Sequence, residues 1–210
     1  NVHVVGAGVM GGDIAAVAAM SGLTVTLSDM NTKAIGSAID RAAKLFERRL
    51  KSDDKIKAAK HRLRSDPESD GAKNADLIIE AVAEKLSVKQ DVFSSLESLI
   101  KPTAILATNT SAIPLEDIAT ALKNPSRLIG LHFFNPVPVL PLVEVIWSRH
   151  SSEEFITRGM QFSGQIGKMP ISCKSSPGFL VNRALLPYMF GAIEAIATGE
   201  NAEEIDQALV

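Results

Sequence analysis

Apolar and polar positions along this chain fall into blocks. Short apolar runs recur at Val2 to Val5, Leu23 to Leu27, Ala75 to Val82, Thr103 to Ala107, Arg127 to Phe134, Leu142 to Trp147 and Pro170 to Lys174. Runs of this length with little alternation read as strands buried on both faces. Between them lie segments with apolar residues at helical spacing. Ile14, Val17 and Ala18 mark one that breaks at Ser21-Gly22. Ile35, Ile39, Ala42, Leu45, Phe46 and Leu50 mark a second, predicted from Asn31 through about Lys60 and capped by Asn31 or Thr32. Further helices are predicted from about Leu86 to Ile100, from Pro114 at its first position to about Leu122, and from Ser152 to Ile166. Arg62 to Asp66 reads as one more short strand. Such alternation predicts an α/β fold, a mostly parallel sheet with helices on both faces.

The pattern changes after Ser175-Ser176-Pro177-Gly178. Phe179 to Thr198 reads as one long apolar helix with no strand to follow. The expected division is an α/β domain over residues 1–175 and the start of an all-α domain over 176–210. The chain opens on the first residue of a strand and closes within Ala202 to Val210, part-way along a helix. The expectation is a segment of a longer protein.

Composition narrows the function classes. An apolar fraction of 46% over 210 residues suits a folded domain with a sizeable core. The net charge of −2 gives no reason to expect nucleic acid or membrane insertion. That small total hides an asymmetry. Asn31 to Arg64 holds eleven Lys or Arg against four Asp or Glu, so the remainder is net negative. The cationic stretch reads either as a solvated helical arm or as a patch for a polyanionic small molecule such as a coenzyme A tail. It has no interleaved aromatic platforms for single-stranded nucleic acid beyond Phe46. The single cysteine, Cys173, excludes an internal disulfide and suits a reducing, cytoplasmic setting. No metal site is predicted, because the four histidines lack ligand spacing.

The first candidate chemistry lies between the first two strands. Gly6-Ala7-Gly8-Val9-Met10-Gly11 follows a strand and opens a helix, and a second strand then ends at Asp29. This is the Rossmann-type dinucleotide-binding pattern. Gly6 permits the tight turn, Gly8 lets backbone approach a pyrophosphate, and Gly11 lets helix and strand pack closely. The helix N-terminus favours the phosphates, and Asp29 can accept from the adenine ribose hydroxyls. No Arg stands in Met30-Asn31-Thr32 to take a 2′-phosphate, so NAD is expected over NADP. Asp13 is an oddity beside phosphates, and its carboxylate is expected to point away.

The second candidate chemistry lies at strand ends, where open parallel sheets bind ligands. Asn109 and Ser111 follow one strand, and His132 sits late in another, before Asn135-Pro136. Glu144 stands in an otherwise apolar strand, where an unpaired carboxylate is costly. A short Pro-rich connection joins the His132 and Glu144 strands and lets the two side chains meet. A carboxylate on one imidazole nitrogen would fix the tautomer and leave the other to accept a proton. From these residues alone, a core histidine with a solvent-facing Glu144 stands as an equal reading.

Taken together, these stretches resemble the L-3-hydroxyacyl-CoA dehydrogenases of fatty-acid β-oxidation. The resemblance is carried by the glycine turn, by Ala75-Asp76-Leu77-Ile78-Ile79-Glu80-Ala81, by Asn109-Thr110-Ser111, by Gly130-Leu131-His132-Phe133-Phe134-Asn135-Pro136 and by Pro177-Gly178-Phe179-Leu180-Val181-Asn182-Arg183. It implies NAD-dependent oxidation of L-3-hydroxyacyl-CoA to 3-ketoacyl-CoA. His132 would be the general base and Glu144 its orienting partner. Ser111 would bond the substrate oxygen, and Asn182 would hold the acyl end. Gly6, Gly8, Met10, Gly11 and Asp29 would bind the cofactor, with Glu80 and Asn109 near the nicotinamide. The cationic arm would lie beside coenzyme A. Pro141 stands where single-function relatives usually carry Lys, which looks more like the dehydrogenase part of bacterial multifunctional proteins. Such parents carry an enoyl-CoA hydratase domain and work with a thiolase. The alternatives are a same-fold dehydrogenase of another hydroxy acid and a catalytically silent binding fragment.

Overall fold

The computed structural model describes residues 1–208. Eight strands form one sheet: β1 (Val2–Val5), β2 (Val25–Ser28), β3 (Leu63–Ser65), β4 (Leu77–Glu80), β5 (Ile105–Thr108), β6 (Leu128–Phe133), β7 (Leu142–Trp147) and β8 (Met169–Lys174). Their order across the sheet is β3-β2-β1-β4-β5-β6-β7-β8. The first six in that order pair in parallel, and β8 is parallel to β7. The β6–β7 pair alone is antiparallel. The reason is the connection: residues 134–141 contain no helix, and a parallel return needs a crossover of a dozen residues or more.

Among the described residues eight α-helices accompany the sheet: α1 (Val9–Met20), α2 (Thr32–Arg49), α3 (Asp53–Arg62), α4 (Leu86–Glu97), α5 (Leu115–Ala119), α6 (Glu153–Gln165), α7 (Val181–Ala197) and α8 (Ala202–Ala208). One apolar core joins α1, α2 and α6 to one face of the sheet through Ile14, Val17, Phe46, Phe155 and Phe162. A second joins α4 and α5 to the other face through Phe93, Leu96, Ile118 and Leu122. Phe46 and Phe93 are fully buried, each stabilising the fold by about 1.5–3 kcal/mol.

Three local expectations change. The single helix read over 31–60 is two, because Leu50 turns extended and Ser52 starts α3 with Asp53 and Asp54 in its first turn. Acids there complement the helix dipole. Pro114 precedes α5 as its cap residue, with extended ψ of 137°, and is not its first helical residue. The long apolar helix begins at Val181, because Phe179 sits in a left-handed turn with φ of +50°. That helix buries none of its residues against the described chain, although Leu185, Met189 and Phe190 are apolar. The expected part-helical end at Leu209 and Val210 lies outside the described residues.

Candidate active site

The sheet order turns back between β1 and β4, so a crevice opens at their carboxyl ends. The glycine turn fills one side of it. Gly6 has φ of +104°, and a Cβ there would lie 2.5 Å from the Ala81 carbonyl oxygen. A Cβ on Gly11 would fall 1.8 Å from the Gly6 carbonyl oxygen, so the first turn of α1 rests directly on the loop. Gly8 differs: a Cβ there would meet nothing within 4 Å. No side chain caps α1 at Gly8, and no acid stands in its first turn. Open space above uncapped backbone N–H groups fits a dinucleotide pyrophosphate.

Asp29 directly follows β2 and closes over this loop. Its Oδ2 accepts from the Ala7 N–H at 2.7 Å, and its Oδ1 accepts from the Asn31 N–H at 2.8 Å. Asp13 lines a separate groove beside Arg41, whose guanidinium donates to the Gly8 carbonyl at 3.0 Å. Burial raises the Asp13 pKa, and Arg41 opposes that rise.

At the far end of the crevice, His132 and Glu144 face each other in the β6–β7 ladder. His132 Nδ1 lies 2.6 Å from Glu144 Oε2. Glu144 is fully buried, and its Oε1 accepts from the Leu180 and Val181 N–H groups at 2.9 and 2.8 Å. Burial pushes its pKa up, but the His132 and backbone bonds outweigh that and hold the carboxyl below its ordinary value. An ionised carboxylate only accepts, so Nδ1 carries the hydrogen and Nε2 keeps a lone pair in the neutral ring. The imidazole sits against Phe134 at 4.5 Å and Phe179 at 5.7 Å between ring centroids. It opens on a cavity of about 360 Å³ shared with Met10, Ala81, Asn109 and Ser111. The glycine turn and the imidazole therefore face the same space.

The remaining expected residues divide. Asn109 receives the Phe133 N–H on its side-chain oxygen at 2.9 Å, tying the loop after β5 to β6. Asn182 Nδ2 donates to the Ser111 carbonyl at 3.3 Å. Glu80 turns inward and is fully buried, where it accepts from Lys89 Nζ at 2.8 Å and from the Thr108 hydroxyl at 2.7 Å. Glu84 is the carboxylate lining the cavity. Its Oε1 gathers the Thr110 hydroxyl at 2.6 Å, the Ser111 N–H at 2.8 Å and the Ser111 hydroxyl at 3.2 Å. Burial raises the Glu84 pKa, yet these donors and Lys89 bring it below the ordinary value. The sequence reading overlooked Glu84 and Lys89. A signal for Lys89 existed: it falls in the stripe Leu86, Lys89, Phe93, Leu96, where its neighbours on the helix are apolar. Among the described residues no group of three or more His, Cys, Asp or Glu is arranged to hold a metal ion.

Residues 1–176 match the family model described as the NAD-binding domain of 3-hydroxyacyl-CoA dehydrogenase. The chain belongs to the 3-hydroxyacyl-CoA dehydrogenase family. It is an NAD-dependent dehydrogenase. It is 39% identical to a probable 3-hydroxyacyl-CoA dehydrogenase of Caenorhabditis elegans, over 100% of this chain and 71% of the relative. Its fold superposes on FadB2 of M. tuberculosis with a TM-score of 0.94 and 38% identity, covering 100% of this chain and 76% of that one. The dehydrogenase part of multifunctional enzyme 1 from C. elegans is also similar, with a TM-score of 0.79 and 30% identity, over 93% of this chain and 46% of that one. This dehydrogenase has no helix, among its described residues, long and apolar enough to cross a membrane.

Proposed function

We propose that the protein oxidises L-3-hydroxyacyl-CoA to 3-ketoacyl-CoA in fatty-acid β-oxidation, with His132 as general base. The observation that carries this reading is the 2.6 Å His132–Glu144 contact on a cavity shared with Met10 of the glycine turn. His132 Nε2 takes the proton of the 3-hydroxyl. When bound, NAD supplies the acceptor for the hydride that leaves C3. Glu144 keeps the working tautomer and offsets the positive charge on the imidazole, a role supported by its lowered pKa. Ser111 bonds the substrate oxygen, held in place by Glu84 through both its N–H and hydroxyl. Asn182, tied to the Ser111 carbonyl, holds the acyl end.

The arm supplies the site for the coenzyme A phosphates. Arg41, Lys44 and Arg48 stand at helical spacing along α2 and line a groove of about 310 Å³ against Pro136 and Pro138. Chemically, an enoyl-CoA hydratase makes the 3-hydroxyl this site consumes, and a thiolase cleaves the 3-ketoacyl-CoA it releases. The test is NADH formation from (S)-3-hydroxybutyryl-CoA with free coenzyme A as competitor. Turnover inhibited competitively by coenzyme A supports the reading. Turnover of a hydroxy acid lacking coenzyme A, indifferent to that competitor, would replace it with another dehydrogenase specificity.

A further inference from the structure

Phe179 combines three features that rarely coincide in one residue. Its backbone is left-handed, with φ of +50°, directly after Gly178 at +76°. For a bulky side chain this conformation is disfavoured by about tenfold or more and persists only when surroundings enforce it. The ring is 3% exposed and packs with Leu115 and Ile146. Its edge meets the His132 imidazole at 5.7 Å between centroids and 61° between planes.

The backbone consequence lies in the next two residues. Phe179 donates its N–H back to the Ser176 carbonyl at 2.8 Å, completing a tight turn. The chain then swings so that the N–H groups of Leu180 and Val181 both reach Glu144 Oε1. These are among the N–H groups at the start of α7 that find no partner within the helix, and no side chain of the helix caps them. Glu144 therefore serves as the cap of a helix from which it is distant in sequence. It receives the imidazole on one oxygen and that helix on the other.

We propose that Phe179 is a positioning residue for the base, acting on the His132–Glu144 pair from two sides. Its left-handed turn aims two amides at Glu144, and its ring seats the imidazole opposite Phe134. The inference rests on reading His132 as the base, and it explains why a strained aromatic occupies a turn that glycine would adopt without strain. A glycine supplies the turn but not the ring, whereas Phe179 supplies both.

The test compares Phe179→Ala, Phe179→Gly and Phe179→Leu in the full chain by NMR. If Phe179 only fills space, Gly is the more damaging truncation, since it removes one more carbon than Ala. If the left-handed turn matters, the order reverses: Ala loses hydrogen-exchange protection at Leu180 and Val181 about tenfold more than Gly. Phe179→Leu keeps apolar bulk and the fold. It should bring the Nε2–H tautomer of His132 into the ring-nitrogen NMR spectrum, a signature that lost packing volume alone would not produce. Equal protection in the Ala and Gly variants, or a His132 tautomer unchanged in Phe179→Leu, overturns the proposal. Neither readout needs turnover, so failure of the base assignment itself shows separately, as a His132→Gln protein that still forms NADH at the normal rate.

Discussion

The two ends of the crevice are built by opposite means. The cradle is local: Gly6 to Asp29 spans one turn, one helix and one strand, and its bonds run from Ala7 and Asn31 to Asp29. Its open polar atoms are backbone N–H groups, left clear where side chains are missing. The base end is assembled from far apart, with His132 on β6, Glu144 on β7 and the Leu180 and Val181 amides at the start of α7. Its working atoms are ionisable side chains whose burial is tolerated only because each is paired. The lesson concerns failure. The cradle fails when an atom is added, and the base end fails when a charge loses its partner.

The largest expected effect separates the two ends by kinetics. His132→Gln should lower kcat by about 10²–10⁴-fold, the usual contribution of a positioned base. NADH affinity, measured by fluorescence titration, should stay unchanged, and Glu144→Gln should follow the same pattern. A parallel loss of affinity would show that the ends are not separable. Next comes the ion pair between them. Lys89→Met leaves Glu80 buried without its cation, and urea unfolding should record a loss of about 3–5 kcal/mol.

The third prediction uses acid. Burial pushes the His3 pKa down to about 4 from 6.5, although Asp66 at 3.6 Å pulls it back up. A depressed histidine pKa means the unfolded chain binds the proton more readily. The stability it contributes is therefore present above pH 6.5 and is lost as pH falls towards about 4, on the order of 3 kcal/mol in total. Glu144 and Glu84 also have lowered pKa values, so their contributions persist above the ordinary carboxylate value of 4.5 and vanish only below it. The layer beneath the cradle should thus weaken at milder acidity than the base end. Urea midpoints that stay flat between pH 7 and 5 would contradict this. The smallest effect lies at Gly8. Gly8→Ala has free space for its Cβ and should cost at most about 1 kcal/mol of stability while weakening NADH binding roughly tenfold. Gly11→Ala, blocked at 1.8 Å, should disrupt the loop itself and lower the thermal midpoint.

Much of the fold was legible because strand runs, glycine spacing and helix stripes are local signals. The meeting of His132 and Glu144 was legible as one of two equal readings, since eight residues including three prolines leave the strands little choice but to pair. Lys89 was hidden because a lysine on an amphipathic helix reads as a solvated charge. Only the packing of α4 under β4 turns it towards Glu80. Glu80 is a related case. The resemblance places it near the nicotinamide, but its carboxylate is buried against Lys89 and Thr108, while Glu84 lines the cavity.

The chain order of residues by itself determined a nucleotide cradle, because backbone conformation there follows from which side chains are absent. It left the candidate base as one of two equal readings, since an acid in an apolar strand asks for a partner without naming it. Tertiary structure alone decided that Glu144 answers to α7 as well as to His132, and that Phe179 bends left-handed to make it so. Those contacts join segments tens of residues apart, and their energies exist only once the sheet has closed around them.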